Sequence, residues 1–444
     1  MTIYRALIQS VIDYGAIAYD MATEAQKRRL DTIQYQALRI ATGAMTSTSL
    51  ADLQVESDET PLQLRRLEQQ IKYGIMVKTI QDHPATKGIN TDWKVDRGRF
   101  KPETKPLITK VEEFFTKHNQ QYEARKPHSQ PPWTLQQPNV DIKLADIIKK
   151  SDPDYLIKSA TLAKIEQYHG QLHTDGSKTD SGLTAAAFYI PSAEISQTAR
   201  LNNHLSIYAA EIMAINMALQ WLLTLTTIPR AVIFSDSLTS LKSLKFPTAN
   251  TRTNWMYNST QLLNAAVGDR VTLVWTPGYS HIHGNDMADQ IAKAGTQRKS
   301  VDIDIGIDLK GSQAVVEKYI DNKWQEQWNT SAKGRHLHQI QPLVTRRIPQ
   351  HGKSRRQETT ASRLRLGKCQ LNAYLHVIGR YDTGLCTLCS VPETIEHHLV
   401  ECCNTTKGKL QQLCKQANQP FTMATIRSRP SLLDAACVML ERRM

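Results

Sequence analysis

Four carboxylates stand where they could do chemistry within one stretch of the chain. Asp175 ends the apolar run QLHTD, Glu211 lies in YAAEIMAI, Asp236 follows AVIFS, and Asp289 lies in GNDMAD. A carboxylate at the tip of an apolar strand, or on the inward face of a helix, carries a desolvation cost that a neutral residue would not. Converging carboxylates also repel one another, so a cluster of them requires cations. Two Mg2+ or Mn2+ ions about 3.5–4 Å apart, held by carboxylates, can clamp the attacking water and the leaving oxygen of a phosphodiester. Taken singly, each of these residues is more simply a turn former or a helix cap. Four in this order, each in an apolar context, point to a metal site.

The seven Cys are clustered, all between Cys369 and Cys437. An odd, clustered count points away from a disulfide framework and toward metal. Within it, Cys386-x2-Cys389-x7-His397-x4-Cys402 offers three thiolates and an imidazole, a set that suits one structural Zn2+. His398 and Cys403 are adjacent competitors; His397 is preferred because Leu399 would then face the buried side. Cys369, Cys414 and Cys437 lack such spacing and read as buried thiols.

The elements that must position the carboxylates can be read from residues 168–296. Strands are predicted over 171–175, 184–190, 195–201, 231–234 and 271–275, with turn-rich sequence between them. Ser206 is a plausible N-cap for a long apolar helix reaching about residue 225. Further helices are expected over 236–245, 254–266 and 285–294. This order implies an α/β fold, a mixed five-stranded sheet flanked by helices. Before it, residues 1–82 read as helical: Leu30, Ile33, Ala37, Leu38 and Ala41 follow a 3.6 period with Gln34 as the polar exception, Gly43 stops that helix, and Pro61 opens the next. Residues 83–167 read as a Pro/Lys-rich linker with short helices, punctuated by Pro84, Pro102, Pro106, Pro127, Pro131, Pro132 and Pro138. Residues 297–444 read as a basic, α-rich region that carries the small Cys/His knuckle at 386–402.

With 444 residues, 40% of them hydrophobic and 22% charged, the chain is too long for one core and too apolar for a disordered one. No stretch approaches the roughly 18 consecutive apolar residues of a membrane span, so no membrane partner is expected. The opening MTIYRALIQSVIDYGAIAYD has neither the basic start nor the continuous apolar core of a secretory leader, and an intracellular setting is expected. The net charge of +13 is uneven: residues 297–444 carry 23 basic against 13 acidic side chains, whereas 168–296 carry 8 of each. A basic tail beside a neutral middle suggests nucleic acid as the partner.

The blocks HTDGS, AAEIMAI, FSDS and VWTPGYSHIHGNDMAD resemble, in order and spacing, those of type 1 ribonuclease H. The ordered set is specific although no block is so alone, and it covers about residues 168–296. The resemblance implies a ribonuclease H fold that cuts the RNA strand of an RNA–DNA hybrid with Mg2+ or Mn2+, and needs no small-molecule cofactor. It also implies that Asp175, Glu211, Asp236 and Asp289 are the catalytic metal ligands. It departs from the family at Trp275-Thr276-Pro277-Gly278-Tyr279, where related retrotransposon proteins commonly have His after Pro-Gly. Tyr, with an ordinary pKa of about 10, is a poor proton carrier, and His281 stands two residues on. Asp286 replaces a frequent Glu, and 246–252 is too short for a basic substrate-gripping protrusion.

The stretch CTLCSVPETIEHHLVEC resembles the C-terminal Cys-Cys-His-Cys knuckle of non-LTR retrotransposon polyproteins, which implies nucleic-acid binding. The N-terminal helices resemble the thumb and connection that follow the reverse-transcriptase core in the same elements, through Tyr4, Tyr14, Gly15, Leu30, Gln34, Arg39, Gly43, Pro61, Leu62, Arg65 and Arg66. No Tyr/Phe-Ala-Asp-Asp block occurs, so DNA synthesis is not expected. The expected function is metal-dependent endonucleolysis of hybrid RNA. The rivals are a nucleic-acid-binding remnant with a weakened or inactive nuclease, and a DNA-cutting relative of the same fold.

Overall fold

A computed structural model describes residues 1–19, 22–80, 83–84, 107–118, 138–149, 151–227, 230–246, 255–278, 281–344, 354–403 and 405–441. The chain divides into two units, one made of Met1–Gln70 with Glu317–Met444, the other of Ile71–Val316.

At the N-terminus Tyr4–Gln9 winds in wide π-type turns and runs on into Ser10–Tyr14. Helix α1 (Glu24–Thr42) starts from a capping box: Thr23 Oγ1 accepts from the Gln26 amide while the Gln26 side chain accepts from the Thr23 amide. It stops where Gly43 takes a left-handed conformation, φ +69°. Helices α2 (Leu50–Glu56) and α3 (Leu62–Thr79) follow. Gln34, the polar break in the apolar stripe of α1, is fully buried. It donates to Tyr4 Oη at 3.2 Å and accepts from Gln54 Nε2 at 2.8 Å, so the exception in the pattern ties three elements together.

The second unit is built on a mixed sheet of six strands. They are β1 (Asn139–Asp141), β2 (Gln171–Lys178), β3 (Thr184–Ile190), β4 (Ile195–Leu201), β5 (Ala231–Ser235) and β6 (Val271–Trp275), in the order β1-β6-β5-β2-β3-β4. β2, β3 and β4 form an antiparallel meander; β2–β5, β5–β6 and β6–β1 are parallel. The five expected strands are present, and the five-stranded expectation is corrected to six. The added strand lies in the stretch read as linker: Val140 is buried in the main core, and Asp141 is held by Lys164 Nζ at 2.6 Å. A three-residue edge strand beside Pro138 has too few residues to show a period. Strand β2 also outruns its expected end at Asp175, because pairing with β3 continues to Lys178 opposite Thr184. Residues 85–106 and 119–137 of the expected linker lie outside the described residues.

Helices α4 (Leu107–His118) and α5 (Asp154–Ile165) precede the meander; α6 (Ile207–Leu223), α7 (Leu238–Lys245), α8 (Trp255–Val267) and α9 (His283–Gly295) come after it. α6 is apolar nearly all round, as a helix sunk in a core must be. Its residues Ala209 to Leu219 are all buried, and the small Ala185, Ala186 and Ala187 of β3 are fully covered.

After α10 (Leu309–Thr330) come α11 (Arg335–Ile340), α12 (Arg355–Arg365), α13 (Asn372–Val377), α14 (Thr405–Gln416), α15 (Met423–Ser428) and α16 (Pro430–Glu441). Ala361, Leu364, Leu399, Leu410, Ile426, Leu433 and Ala436 make their own core. Its link to the N-terminal helices is polar: Arg363 Nε donates to Gly43 O at 2.8 Å, and Arg365 Nε to Glu56 Oε2 at 2.9 Å. Among the described residues no helix is long and apolar enough to cross a membrane.

Candidate active site and metal centres

Asp175 sits inside β2, opposite Ala187, with β5 as the parallel neighbour on its other side. The next residue explains how a helix reaches it. A Cβ on Gly176 would lie 2.5 Å from the Glu211 amide nitrogen, so only glycine lets the first turns of α6 press onto the strand. Ser206 caps that helix, its Oγ accepting from the Ala209 amide at 3.1 Å, and fixes where Glu211 falls. Asp236 follows the last residue of β5, where the Trp275 indole donates to its carbonyl at 3.0 Å. A Cβ on Gly278 would meet Asp236 Oδ2 at 2.7 Å, so a second glycine leaves room for this carboxylate.

Asp175, Glu211 and Asp236 each present an oxygen within 4.8 Å of the others. Asp289 is not one of that group. It sits on the second turn of α9 and takes Lys293 Nζ at 2.6 Å on Oδ2. The charges of all four are nevertheless coupled. Burial, then Asp236 and Asp289, push Asp175 up to about 8, with Lys293 pulling the other way. Burial, then Asp175, Asp236 and Asp289, hold Glu211 well above the usual carboxylate range; burial and Asp289 raise Asp236. Glu211 Oε2 is buried with no hydrogen-bond partner. Three hard oxygen donors, crowded, partly starved of protein donors and sharing a raised proton affinity, fit a divalent cation of the Mg2+ class.

Sequence reasoning missed Lys293, although its place four residues after Asp289 is the spacing of a helical ion pair. It also passed over His173, which is buried, stacked 5.0 Å from Phe234, and held down to about 4 by burial and by His283. That is a neutral core imidazole. His281 is exposed with φ +53°. Tyr279, and the expected short segment at 247–252, lie outside the described residues.

In the C-terminal region the structure brings Cys386, Cys389, His397 and Cys402 together. Cys386 and Cys389 lie on a turn closed by the Cys386 amide to Val391 O at 2.7 Å and the Ser390 amide to Cys386 O at 2.9 Å. Cys402 Sγ is 3.8 Å from Cys386 Sγ and 3.7 Å from Cys389 Sγ. Sulfurs at about 2.3 Å from a tetrahedral Zn2+ would be about 3.8 Å apart, so these two edges have the required length. His397 is buried with Nε2 unpartnered, and its Nδ1 lies 3.6 Å from Glu401 Oε2, a carboxylate placed to orient a ligating ring. Of the competitors, His398 turns toward Glu393, at 3.9 Å, and exposed Cys403 lies 3.5 Å from the Cys389 sulfur.

Residues 168–297 match the RNase H family model. The chain therefore carries an RNase H domain, the domain of a nuclease hydrolase whose substrate is nucleic acid. The mixed sheet, the buried α6 and the helices around them are the RNase H-like α/β fold, here with helical flanks on either side in sequence. No curated protein matches the chain.

Proposed function

We propose that this protein is a divalent-metal-dependent endonuclease that cuts the RNA strand of RNA–DNA hybrids. The carrying observation is the meeting of Asp175, Glu211 and Asp236 within 4.8 Å, inside the segment that matches RNase H. These three carboxylates would hold the ions, with Asp289 as the fourth ligand once Lys293 releases it. Divalent ions held there supply the charge that makes a water nucleophilic and eases departure of the leaving oxygen. Gly176 and Gly278 keep Glu211 and Asp236 close to Asp175, and Ser206 and Trp275 brace the backbone at each. The Cys386, Cys389, His397 and Cys402 set would hold one structural Zn2+ in a nucleic-acid-binding knuckle. Together with the thumb-like N-terminal helices, this supports an origin in a non-LTR retrotransposon polyprotein.

The test is an end-labelled RNA–DNA hybrid incubated with the full chain and Mg2+, with EDTA and Asp175→Asn as controls. Metal-dependent RNA cleavage that the substitution abolishes is expected. Tyr279 in the family's His position and the Lys293–Asp289 pair favour a second reading, a hybrid-binding protein with a weakened or silent nuclease. Binding without cleavage in both Mg2+ and Mn2+ would establish that reading.

A further inference from the structure

A cavity of about 450 Å3 opens among α11, α13, α15 and the chain before His397, with Cys369 on its wall. Arg427, on its wall, is 7% exposed. Its Nε is buried without a partner, and among the described residues its guanidinium makes no hydrogen bond or ion pair. Of the groups whose charge bears on it, the Cys369 thiol is buried and pushed up to about 12, hence neutral, and Glu396, also on the cavity wall, is exposed and makes no ion pair with it. An unpaired buried cation is costly, and burial already draws Arg427 down to about 10. The second polar wall group is His336. Its ring is hydrogen-bonded to the Leu364 backbone, burial keeps it neutral, and Nε2 is left buried with no partner. Of the two carboxylates in the same wall, Glu393 is already engaged: Oε2 accepts from the Asn372 amide at 3.0 Å, and Oε1 faces His398. Leu371, Ile395 and Met423 supply apolar surface between these groups.

We propose that this cavity binds a phosphomonoester, with the phosphate on Arg427 and a hydroxyl or amino group of the organic part on His336 Nε2. A guanidinium offers five donors in a planar fork, and a terminal phosphate has three oxygens to use them. The volume exceeds what an inorganic ion needs, and the apolar wall suits a sugar or base. The same chemistry is present in a free nucleotide and at the 5′-phosphorylated end of a nucleic-acid strand. The inference stands apart from the nuclease reading, since none of these residues belongs to the RNase H segment.

The experiment is calorimetric titration of the full chain with thymidine 5′-monophosphate, thymidine, inorganic phosphate, and a short thymidine oligonucleotide with and without its 5′-phosphate. Magnesium is omitted. Tighter binding of the phosphorylated member of each pair is expected, with Arg427→Gln removing that preference by roughly tenfold or more. Preference for the nucleotide points to a free ligand; preference confined to the oligonucleotide points to a strand end. Ala424→Trp, at the exposed rim of the cavity, should weaken binding while leaving Arg427 in place. A purely structural arginine would lower Tm when replaced, whereas removing an unpaired buried charge should hold or raise Tm. Equal binding of phosphorylated and unphosphorylated probes, or a preference that survives Arg427→Gln, would overturn the proposal.

Discussion

Lys293 holds its ammonium 2.6 Å from Asp289 Oδ2, one turn further along the same helix. The pair sets a fixed cation at the edge of three crowded carboxylates, where its field opposes the rise that burial, Asp236 and Asp289 impose on Asp175. A divalent ion drawn to the same oxygens meets that ammonium as a competitor.

Replacing Lys293 with Met should therefore lower the Mg2+ concentration needed for half-maximal cleavage of a hybrid. The ammonium is 61% exposed and the carboxylate 35%, so solvent screens the effect. A partly exposed pair is worth about 0.2–1 kcal/mol, which corresponds to a shift of up to about fivefold. A Mg2+ titration of the cleavage rate checks it. An unchanged requirement would mean that Lys293 does not compete with the ion, and a higher one that it assists ion binding.

The carboxylate cluster also predicts a pH dependence of stability in the absence of metal. Asp175 is raised to about 8, and Glu211 and Asp236 are raised with it, first by burial and then by neighbouring carboxylates, Asp289 among them. Between about pH 4 and pH 8 the folded state then holds protons that the unfolded state has released, so this contribution to stability is full at low pH and lost as pH rises through 8. His173 acts in the opposite sense, its folded value near 4 lying below the unfolded one. Thermal melts in EDTA of the chain and of Asp175→Asn separate the two. The variant should gain Tm over the parent at pH 8 and not at pH 5. A gain of equal size at both values would show that Asp175 is not protonated by its surroundings.

Two adjacent thiols should differ in what they do for the C-terminal region. Cys402 stands 3.7 and 3.8 Å from the Cys389 and Cys386 sulfurs, and Leu399, three residues before it, is fully buried in the local core. Cys403 is exposed. Elemental analysis should find one zinc per chain, retained in Cys403→Ser and lost or made substoichiometric in Cys402→Ser. Zinc retained in the second variant would move the ligand role to Cys403.

How much of this was legible beforehand depends on how local each signal is. Asp175 and Asp236 could be placed because a carboxylate at the end of an apolar strand is a local oddity, and Glu211 because it interrupts an otherwise apolar helix. Lys293 was legible in principle from its spacing to Asp289. The strand at 139–141 was not, because three residues next to a proline carry no period and its pairing partner lies at 272–274. Gln34 stood out as an exception, yet its partners Tyr4 and Gln54 lie 30 and 20 residues away. Arg427 and Arg365 lie in a basic tail where no local pattern marks them. Only the packing of helices distant in sequence buries them.

Arg365 and Glu56 make the most consequential of those distant pairings, 309 residues apart in the chain. Their side chains are 8% and 2% exposed, and the Arg365 Nε donates to Glu56 Oε2 at 2.9 Å. Burial pushes Glu56 upward even against its partner's charge. Removing one member therefore strands the other: Arg365→Met should cost about 3–5 kcal/mol in the unit formed by the N-terminal and C-terminal helices. Replacing both, as Glu56→Leu with Arg365→Met, should recover most of that loss, since a hydrophobic pair of similar volume needs no counter-charge. Urea unfolding of the two single variants and the double variant closes the cycle. Strict additivity of the single losses would mean that the two residues act independently.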